Sequence, residues 1–184
     1  AQTIMQALPL LPVEEEGRLM DPVLRENFIE RVFVYHRWQS LCQSELTPAK
    51  LVDFHTNHKF SILAHDQAAY RELGQIAAVA GSADLPQLRE RYATLLMTAM
   101  KKRATRKLHS NVLTHIMGFL KDKIDSGDKA ELLEVIEKYR HGQIPLIVPI
   151  TLLKHHLRRY PDPYIARQSY LNPHPEELML RNSL

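Results

Sequence analysis

The sequence predicts an all-α protein, built as a single irregular bundle of about seven helices behind an extended N-terminal connector. Apolar residues recur at every third or fourth position in several segments, which is the period of an amphipathic helix. No segment shows the strict alternation typical of a half-buried strand. A polar capping residue followed by proline, a typical helix start, also occurs more than once. With 184 residues, of which 45% are hydrophobic, the chain is long enough to bury one core.

The N-terminal segment and the first helix are separated by such a start signal. Residues 1–20 contain two prolines, three consecutive glutamates and a glycine without helical period, so we expect an extended connector there. Asp21 can cap the amides that begin a helix, and Pro22 has the φ angle of a first helical position. A helix is therefore predicted from Val23 to about Ser44. Its inward face is expected to carry Phe28, Val32, Tyr35 and Trp38.

Three further helices are predicted in the first half of the chain. The second begins at Thr47-Pro48, the third covers residues 66–80, and the fourth begins near Asp84 and leads into a basic stretch. One side of the second helix is expected to carry Leu51, Phe54 or His55, His58, Ile62 and His65.

The fifth helix begins in the most basic stretch of the sequence. Five of the seven residues from Lys101 to Lys107 are cationic, and Thr105 among them is the expected N-cap. The inward face is predicted to hold His109, Leu113, Ile116 and Leu120, flanked by Val112 and Phe119. A second stripe of the same helix carries Asn111, His115 and Gly118 just after the positive charges. This junction is the best candidate for a binding site.

The C-terminal third is predicted to contain two helices and an irregular tail. Ser126 and Gly127 are expected to separate the fifth helix from a sixth, which ends at Gly142. The sixth helix is expected to turn Leu132, Val135, Ile136 and Tyr139 inward. In the seventh helix Pro149 lies near enough to the start to be tolerated. The proline-rich tail is expected to include a short helix from Tyr164 to Tyr170.

Charge is unevenly distributed along the chain. Residues 1–100 carry 9 Lys and Arg against 12 Asp and Glu, whereas residues 101–184 carry 15 against 9. The second half is therefore positive by six charges. Such an excess indicates an anionic partner such as nucleic acid, although solvated helix faces are basic about as often.

The single cysteine and the hydropathy exclude several classes of protein. Cys42 alone cannot form an internal disulfide, a zinc ribbon or a three- or four-cysteine iron–sulfur site. No apolar run approaches the roughly 20 residues of a membrane span, and the N-terminus lacks the layout of a signal peptide. We therefore expect a cytoplasmic protein without membrane contact.

Four sequence strings carry a resemblance to a known family. They are FHTNHKFSILAHDQAAYRELG, HSNVLTHIMGFLK, YRHGQIPLIVPITLLKHHL and YPDPYIARQSYLNPHPEEL. In order and spacing they resemble the YbgA-like family of bacterial domains over about residues 46–180. Members of that family occur alone, beside or joined to photolyases, and fused behind a small cysteine-rich domain similar to thiouracil desulfidases.

The first forty residues resemble the junction of such a fusion. The string LPVEEEGRLMDPVLRENFIERVF looks like the end of the desulfidase-like domain. The resemblance divides the chain into a connector at residues 1–20, a linker helix at 21–45 and a YbgA-like helical domain at 46–184. Because the sequence begins at Ala1 without an initiator methionine, we expect it to be a piece of something longer.

The resemblance also implies a division of labour. Fused proteins of this kind are thought to remove sulfur from thiolated uracil, including 4-thiouridine in tRNA, with a cluster held by three cysteines. Since Cys42 stands alone, an iron–sulfur cluster is implied for an upstream domain in cis, and no cofactor, metal or catalytic residue is expected in this chain. The expected role is to hold RNA, in particular tRNA.

Two groups of candidate site residues follow from the sequence and the resemblance together. The residues expected to contact nucleic acid are Lys59, Lys101, Lys102, Arg103, Arg106, Lys107, Asn111 and His115. The residues expected to line a polar groove are His55, His58, His65, His109, Gln168 and Tyr170.

Two alternatives to RNA recognition stay open. An independent enzyme or metal-binding domain would use the histidine-rich groove, but histidines spaced like His55, His58 and His65 without a carboxylate pair form a loose constellation. A structural or dimerisation domain would leave the histidines as buried hydrogen-bonding groups, and the tail as a core anchor. Bound metal would favour the first alternative, and a large apolar interface the second.

Overall fold

The computed structural model describes residues 6–183, and its only regular elements in that range are helices. The α-helices are α1 (Pro22–Gln43), α2 (Pro48–His65), α3 (Gln67–Ala78), α4 (Leu85–Lys101), α5 (Arg106–Gly118), α6 (Ser126–Arg140), α7 (Ile147–Arg159) and α8 (Pro163–Ala166). Short 3₁₀ helices cover Glu16–Met20 and Glu176–Leu178. The all-α prediction is confirmed. Among the described residues, no helix is both long enough and apolar enough to cross a membrane.

Three of the predicted helix starts are made by the expected side chains, whereas Asp84 at the start of α4 accepts no capping hydrogen bond. The Asp21 carboxylate accepts hydrogen bonds from two amides in the first turn of α1, at 2.8 and 3.1 Å. Thr47 caps α2 and Thr105 caps α5 in the same manner. Ser126 and Gly127, predicted as a break, instead form the first turn of α6 because Asp125 accepts a hydrogen bond from the Asp128 amide.

Helix α2 lies at the centre of the bundle and packs against α3, α4 and α5. Its residues Leu51, Phe54 and Ile62 belong to a core formed with α1, α3 and α4. Phe60 and Leu63 belong to a second core formed with α5, α6, α7 and the tail. One helix therefore links both halves of the protein. The predicted side carrying Leu51, Phe54, His58, Ile62 and His65 is buried, and the C-terminal half of the helix also buries its other faces, whereas Val52 near its start is 43% exposed.

Helix α1 turns a different stripe inward from the one predicted. Trp38 is buried, but Val32 is 37% exposed, and Phe28 and Tyr35 are only half-buried. The inward stripe instead begins with two carboxylates. Its members follow one another at four-residue spacing: Glu26, Glu30, Val34 and Trp38. The prediction failed because it ranked positions by apolar character, while α1 buries charged groups at its N-terminal half.

The remaining sequence predictions for helix faces are largely confirmed. His109, Val112, Leu113, Ile116 and Leu120 are buried around α5, and Phe119 is 38% exposed. Gly142 ends the α6 segment with a φ of +76°, a conformation that favours glycine. The short tail helix α8 ends at Ala166, earlier than predicted, and the chain continues without regular structure to Tyr170.

The N-terminal connector packs against the helices at several points. Residues 12–15 have no regular structure, as expected. The prediction of an extended segment is wrong at residues 6–7, which are helical, at residues 8–11, which form bends and a turn, and at Glu16–Met20, which forms a 3₁₀ helix. Leu10 packs against the α1–α4 core, and the Arg31 guanidinium donates a 2.8 Å hydrogen bond to the Val13 carbonyl. Residues 1–5, also predicted to be extended, lie outside the described residues.

The C-terminal tail returns to the core and is fixed there by Arg181. The guanidinium lies 3.2 Å from the Glu26 carboxylate and 3.8 Å from that of Glu30, and it donates a 2.7 Å hydrogen bond to the Tyr170 carbonyl. Only 4% of Arg181 is exposed. The backbone carbonyl of Arg181 accepts a hydrogen bond from the Ile147 amide at the start of α7. Arg181 therefore joins the tail, α1 and α7.

We expect Arg181→Met to lower the free energy of unfolding by about 3–5 kcal/mol, because the substitution leaves the Glu26 and Glu30 carboxylates without their shared cation. Urea denaturation followed by circular dichroism would measure the change. The matched control is Arg167→Met, which removes an exposed ion pair with Asp53 at 2.9 Å and should cost at most about 1 kcal/mol. Equal effects of the two substitutions would contradict the central role of Arg181.

Candidate nucleic-acid interface

The predicted cationic residues meet at the junction between α4 and α5. Lys101 ends α4, Thr105 caps α5, and the chain between them has extended backbone. All five cations of the junction are exposed, namely Lys101, Lys102, Arg103, Arg106 and Lys107. The amides that begin α5 add partial positive charge at the same place.

Most of this charge is not neutralised by the protein. Lys102 forms an ion pair with the Asp66 carboxylate, which also caps α3. Within residues 6–183, the other four cations of the junction have no carboxylate within 4 Å. These four, Lys101, Arg103, Arg106 and Lys107, are called the junction cations below. Their side chains are available to an external anion.

A pocket of about 530 Å³ opens beside the junction cations. Three of its lining residues are exposed cations: Arg103, Arg106 and Lys107. Its apolar walls include Val23 and Leu146, and its more deeply placed polar residues are Glu26, His109 and Tyr139. We call this space the junction pocket. It combines a cationic opening with an interior of mixed apolar and hydrogen-bonding character.

The polar interior of the junction pocket is held by the tail. The Nδ1 atom of His109 lies 2.9 Å from the Tyr170 hydroxyl, and the Glu26 carboxylate accepts a hydrogen bond from Arg181. Asn27 shapes the neighbouring wall, since its side-chain oxygen accepts a 2.8 Å hydrogen bond from the Ala104 amide. Each of these bonds joins segments that are far apart in the sequence.

Burial sets the protonation of these groups. It lowers the pKa of His109 to about 3 and raises that of Tyr139, so both side chains are neutral near pH 7. Burial also raises the pKa of Glu26, against the lowering effect of the Arg181 charge. At Glu30 burial acts in the same direction, but the His65 hydrogen bond and the charges of His65 and Arg181 prevail and lower its pKa.

Asn111 and His115 lie on α5 beyond the junction, outside the pocket lining. Asn111 is half-buried and His115 is exposed. Their side chains make no hydrogen bond within residues 6–183. Lys59 is placed elsewhere: its ammonium lies 4.7 Å from the Tyr164 ring centroid, and Phe119, at the far end of α5, stacks on that ring. The predicted nucleic-acid residues therefore lie in three places: the cations at the α4–α5 junction, Asn111 and His115 along α5, and Lys59 of α2 near the C-terminal end of α5.

The predicted polar groove is not one open surface. His55 lies 3.1 Å from the Tyr92 hydroxyl, His58 bonds to the Phe54 carbonyl at 2.8 Å, and His65 bonds to the Lys102 carbonyl at 2.6 Å. Gln168 and Tyr170 are buried and anchor the tail, the first through a hydrogen bond to the Thr56 carbonyl. The groove prediction is corrected because these side chains are mostly buried and, apart from the His109–Tyr170 pair, face separate partners.

No metal site is formed by the histidines in the described part of the chain. Across residues 6–183, no three His, Cys, Asp or Glu side chains are grouped closely enough to hold a metal ion.

Sequence reasoning missed Glu26, Tyr139 and Arg181 as members of the site. Tyr139 was predicted to face inward, but its position on a helix face could not show that it lines a pocket. Glu26 and Arg181 are 155 positions apart, and nothing in local spacing connects them. The one available signal was the four-residue spacing of Glu26, Glu30, Val34 and Trp38, which marks a single helix face.

The fold and the site define a small helical domain with a basic junction beside a partly polar pocket. The chain belongs to the family described as protein of unknown function (DUF1722), whose model matches residues 59–175. It is also similar to the uncharacterized protein YbgA of Escherichia coli (strain K12), with 32% identity over 159 residues that cover 86% of this chain and 94% of that protein. The YbgA-like resemblance seen in the sequence is thereby confirmed. The comparison with solved structures gave no match.

The buried histidines predict a loss of stability in mild acid. Burial lowers the pKa of His58 to about 4 and that of His109 to about 3, against about 6.5 in an unfolded chain. As the pH falls below 6.5, the unfolded chain takes up protons that the native chain does not. Stability should therefore decrease toward pH 4, by up to about 1.4 kcal/mol per pH unit for each histidine.

Thermal melting between pH 7 and 4 measures this dependence. The double variant His58→Gln and His109→Gln should show a shallower decrease than the original chain. The exposed His115, changed to Gln, is the matched control and should leave the slope as it was. An unchanged slope in the double variant would show that other groups control the acid sensitivity.

Proposed function

We propose that this chain is a non-catalytic RNA-recognition domain, and that tRNA is its ligand. The observation that carries the proposal is the set of four exposed junction cations without carboxylate partners in the described residues. They surround the N-terminus of α5, where free amides and the helix dipole favour bound phosphate. A polyanion with regularly spaced phosphates would meet several of these groups at once.

The distribution of polar side chains supports RNA over a simple acidic ligand. Beyond the cations, α5 carries Asn111 and His115, whose side chains make no hydrogen bond within the described residues. Amide and imidazole groups at such positions can contact a base edge or a ribose hydroxyl. At the far end of α5, the Phe119–Tyr164 pair offers an aromatic surface with Lys59 beside it. Such surfaces stack on unpaired bases.

The sequence resemblance supports a partner in cis. In proteins that join a YbgA-like domain to a thiouracil-desulfidase-like domain, the second domain would supply the iron–sulfur chemistry. Cys42, half-buried and without another cysteine, cannot supply it here. We therefore propose that this domain holds tRNA in the cytoplasm while an upstream desulfidase-like domain acts on a thiolated uridine such as 4-thiouridine.

Changing the four junction cations to Gln should weaken tRNA binding for all sequences alike. If each contacts one phosphate, the slope of log Kobs against log salt should become less steep by about 2.8 to 3.6, because fewer counterions are released. Lys102 is kept, since its loss would also remove the ion pair with Asp66. Fluorescence anisotropy with labelled tRNA at several salt concentrations measures both quantities.

A matched control removes the same charge elsewhere. Four exposed arginines outside the junction pocket lining serve this purpose: Arg71, Arg89, Arg158 and Arg159. Their replacement by Gln changes the net charge equally and should alter tRNA affinity and salt slope far less. The proposal fails if the junction variant folds normally and binds tRNA with the original affinity and slope.

Asn111→Ala and His115→Ala should act on selectivity instead. Because these side chains would contact bases or ribose, each change should cost about 1–3 kcal/mol for the preferred RNA and much less for an unrelated strand. The salt slope should stay the same, since no phosphate contact is lost. Circular dichroism would first establish that both variants fold. Equal losses for every RNA would contradict a base-reading role.

A further inference from the structure

The junction pocket contains polar atoms that the protein does not use. His109 is 6% exposed, and its only side-chain hydrogen bond in the described residues engages Nδ1, which leaves Nε2 without a partner. Tyr139 is 5% exposed, and its hydroxyl makes no hydrogen bond within residues 6–183. The Glu26 carboxylate, which accepts a hydrogen bond from the Arg181 guanidinium, lines the same space. The free polar atoms of His109 and Tyr139 are not closed off from solvent, so both can bond a ligand that enters the pocket they line.

The pocket has the size and walls of a small-molecule site. Its volume of about 530 Å³ lies within the roughly 300–1,000 Å³ usual for such sites. Val23, Leu146 and the ring of Tyr139 provide apolar surface against which a flat ring can pack. A carboxylate oxygen, a neutral imidazole and a phenol can together meet the donors and acceptors along the edge of a nucleobase.

The cations at the opening supply the place for a phosphate. Arg103, Arg106 and Lys107 line the same pocket, and the first amides of α5 lie beside them. The Arg106 guanidinium is packed closely over Gly142, where a side chain would come within 3.0 Å of it. A ligand with a planar polar ring and an attached phosphate therefore matches both parts of the site.

We propose that the junction pocket binds one nucleotide, with its base among Glu26, His109 and Tyr139 and its phosphate on Arg103, Arg106 and Lys107. As part of RNA recognition, the inference rests on the proposed function. The bound nucleotide is an unpaired one, because a base inside a duplex cannot present its edge to a closed-in pocket without leaving the stack. The domain thus selects RNA at a position where a base is unstacked or extruded.

The test uses the four nucleoside 5′-monophosphates and inorganic phosphate as probes in calorimetric titrations. At least one monophosphate should bind measurably tighter than phosphate. Tyr139→Phe removes one hydroxyl and should weaken that binding about threefold to tenfold. Its control is Tyr160→Phe, a half-buried tyrosine outside the pocket lining, which should have no effect.

A second variant blocks the space directly. Val23 is half-buried in the wall of the pocket, so Val23→Phe should fill it without disturbing the core and should abolish monophosphate binding. Val32→Phe on the same helix is the control, because Val32 is 37% exposed and lies outside the pocket. In tRNA binding, Val23→Phe should lower affinity and leave the salt slope unchanged, unlike the variant without junction cations.

The outcomes separate the two proposals. If inorganic phosphate binds as tightly as every monophosphate, the pocket takes an anion alone and the nucleotide site is disproved. If Val23→Phe and Tyr139→Phe leave tRNA and monophosphate binding unchanged while the junction variant loses tRNA, RNA recognition stands and the pocket proposal falls. If monophosphates bind and tRNA does not, the pocket stands as a site for free nucleotides and the RNA-recognition proposal falls.

Discussion

The structure depends on one buried guanidinium shared by the buried carboxylate of Glu30 and the half-buried carboxylate of Glu26. Arg181 neutralises Glu26 and Glu30, which α1 turns into the protein instead of apolar side chains. Removing three charged groups from water is expensive, and an apolar replacement of similar volume often costs nothing or stabilises a protein. The ionic arrangement instead determines where the C-terminal tail binds. Only a chain end that brings a cation to this point can dock on α1, so the tail has one place to lie.

The same contacts build the junction pocket. Two of its three more deeply placed polar residues are positioned by the tail, Glu26 through Arg181 and His109 through the Tyr170 hydroxyl. The aromatic ring of Tyr170 also lies under the Arg181 guanidinium, 5.0 Å from centroid to Cζ. The site is therefore a consequence of closing the fold. A change that releases the tail would lower stability and alter the pocket together, whereas a change at the exposed cations alters only the opening of the pocket and leaves the tail contacts in place.

Local sequence rules predicted the helices and failed where partners are distant. Capping at Asp21, Thr47 and Thr105 involves atoms within three residues, so the starts could be predicted from the chain itself. The inward face of α1 could not, because burial of Glu26 and Glu30 is acceptable only once Arg181 arrives. The histidines of α2 illustrate the same limit, since their spacing placed them on buried faces but could not show that each has a different partner. The exposed cations were found because a dense charge run is visible without tertiary structure.

Exposed and buried charge contribute to recognition in different ways. The junction cations are solvated, so their attraction for phosphates is long-range, weakened by salt and indifferent to sequence. The groups inside the pocket are desolvated and neutral or internally paired, so they act only on a ligand that enters and matches their hydrogen-bonding pattern. A surface with the first kind alone would hold any RNA. In the proposed RNA recognition, placing the second kind directly behind the first would let the domain hold the backbone and then discriminate at one nucleotide. The tail contacts that position Glu26 and His109 would then determine how sharply it does so.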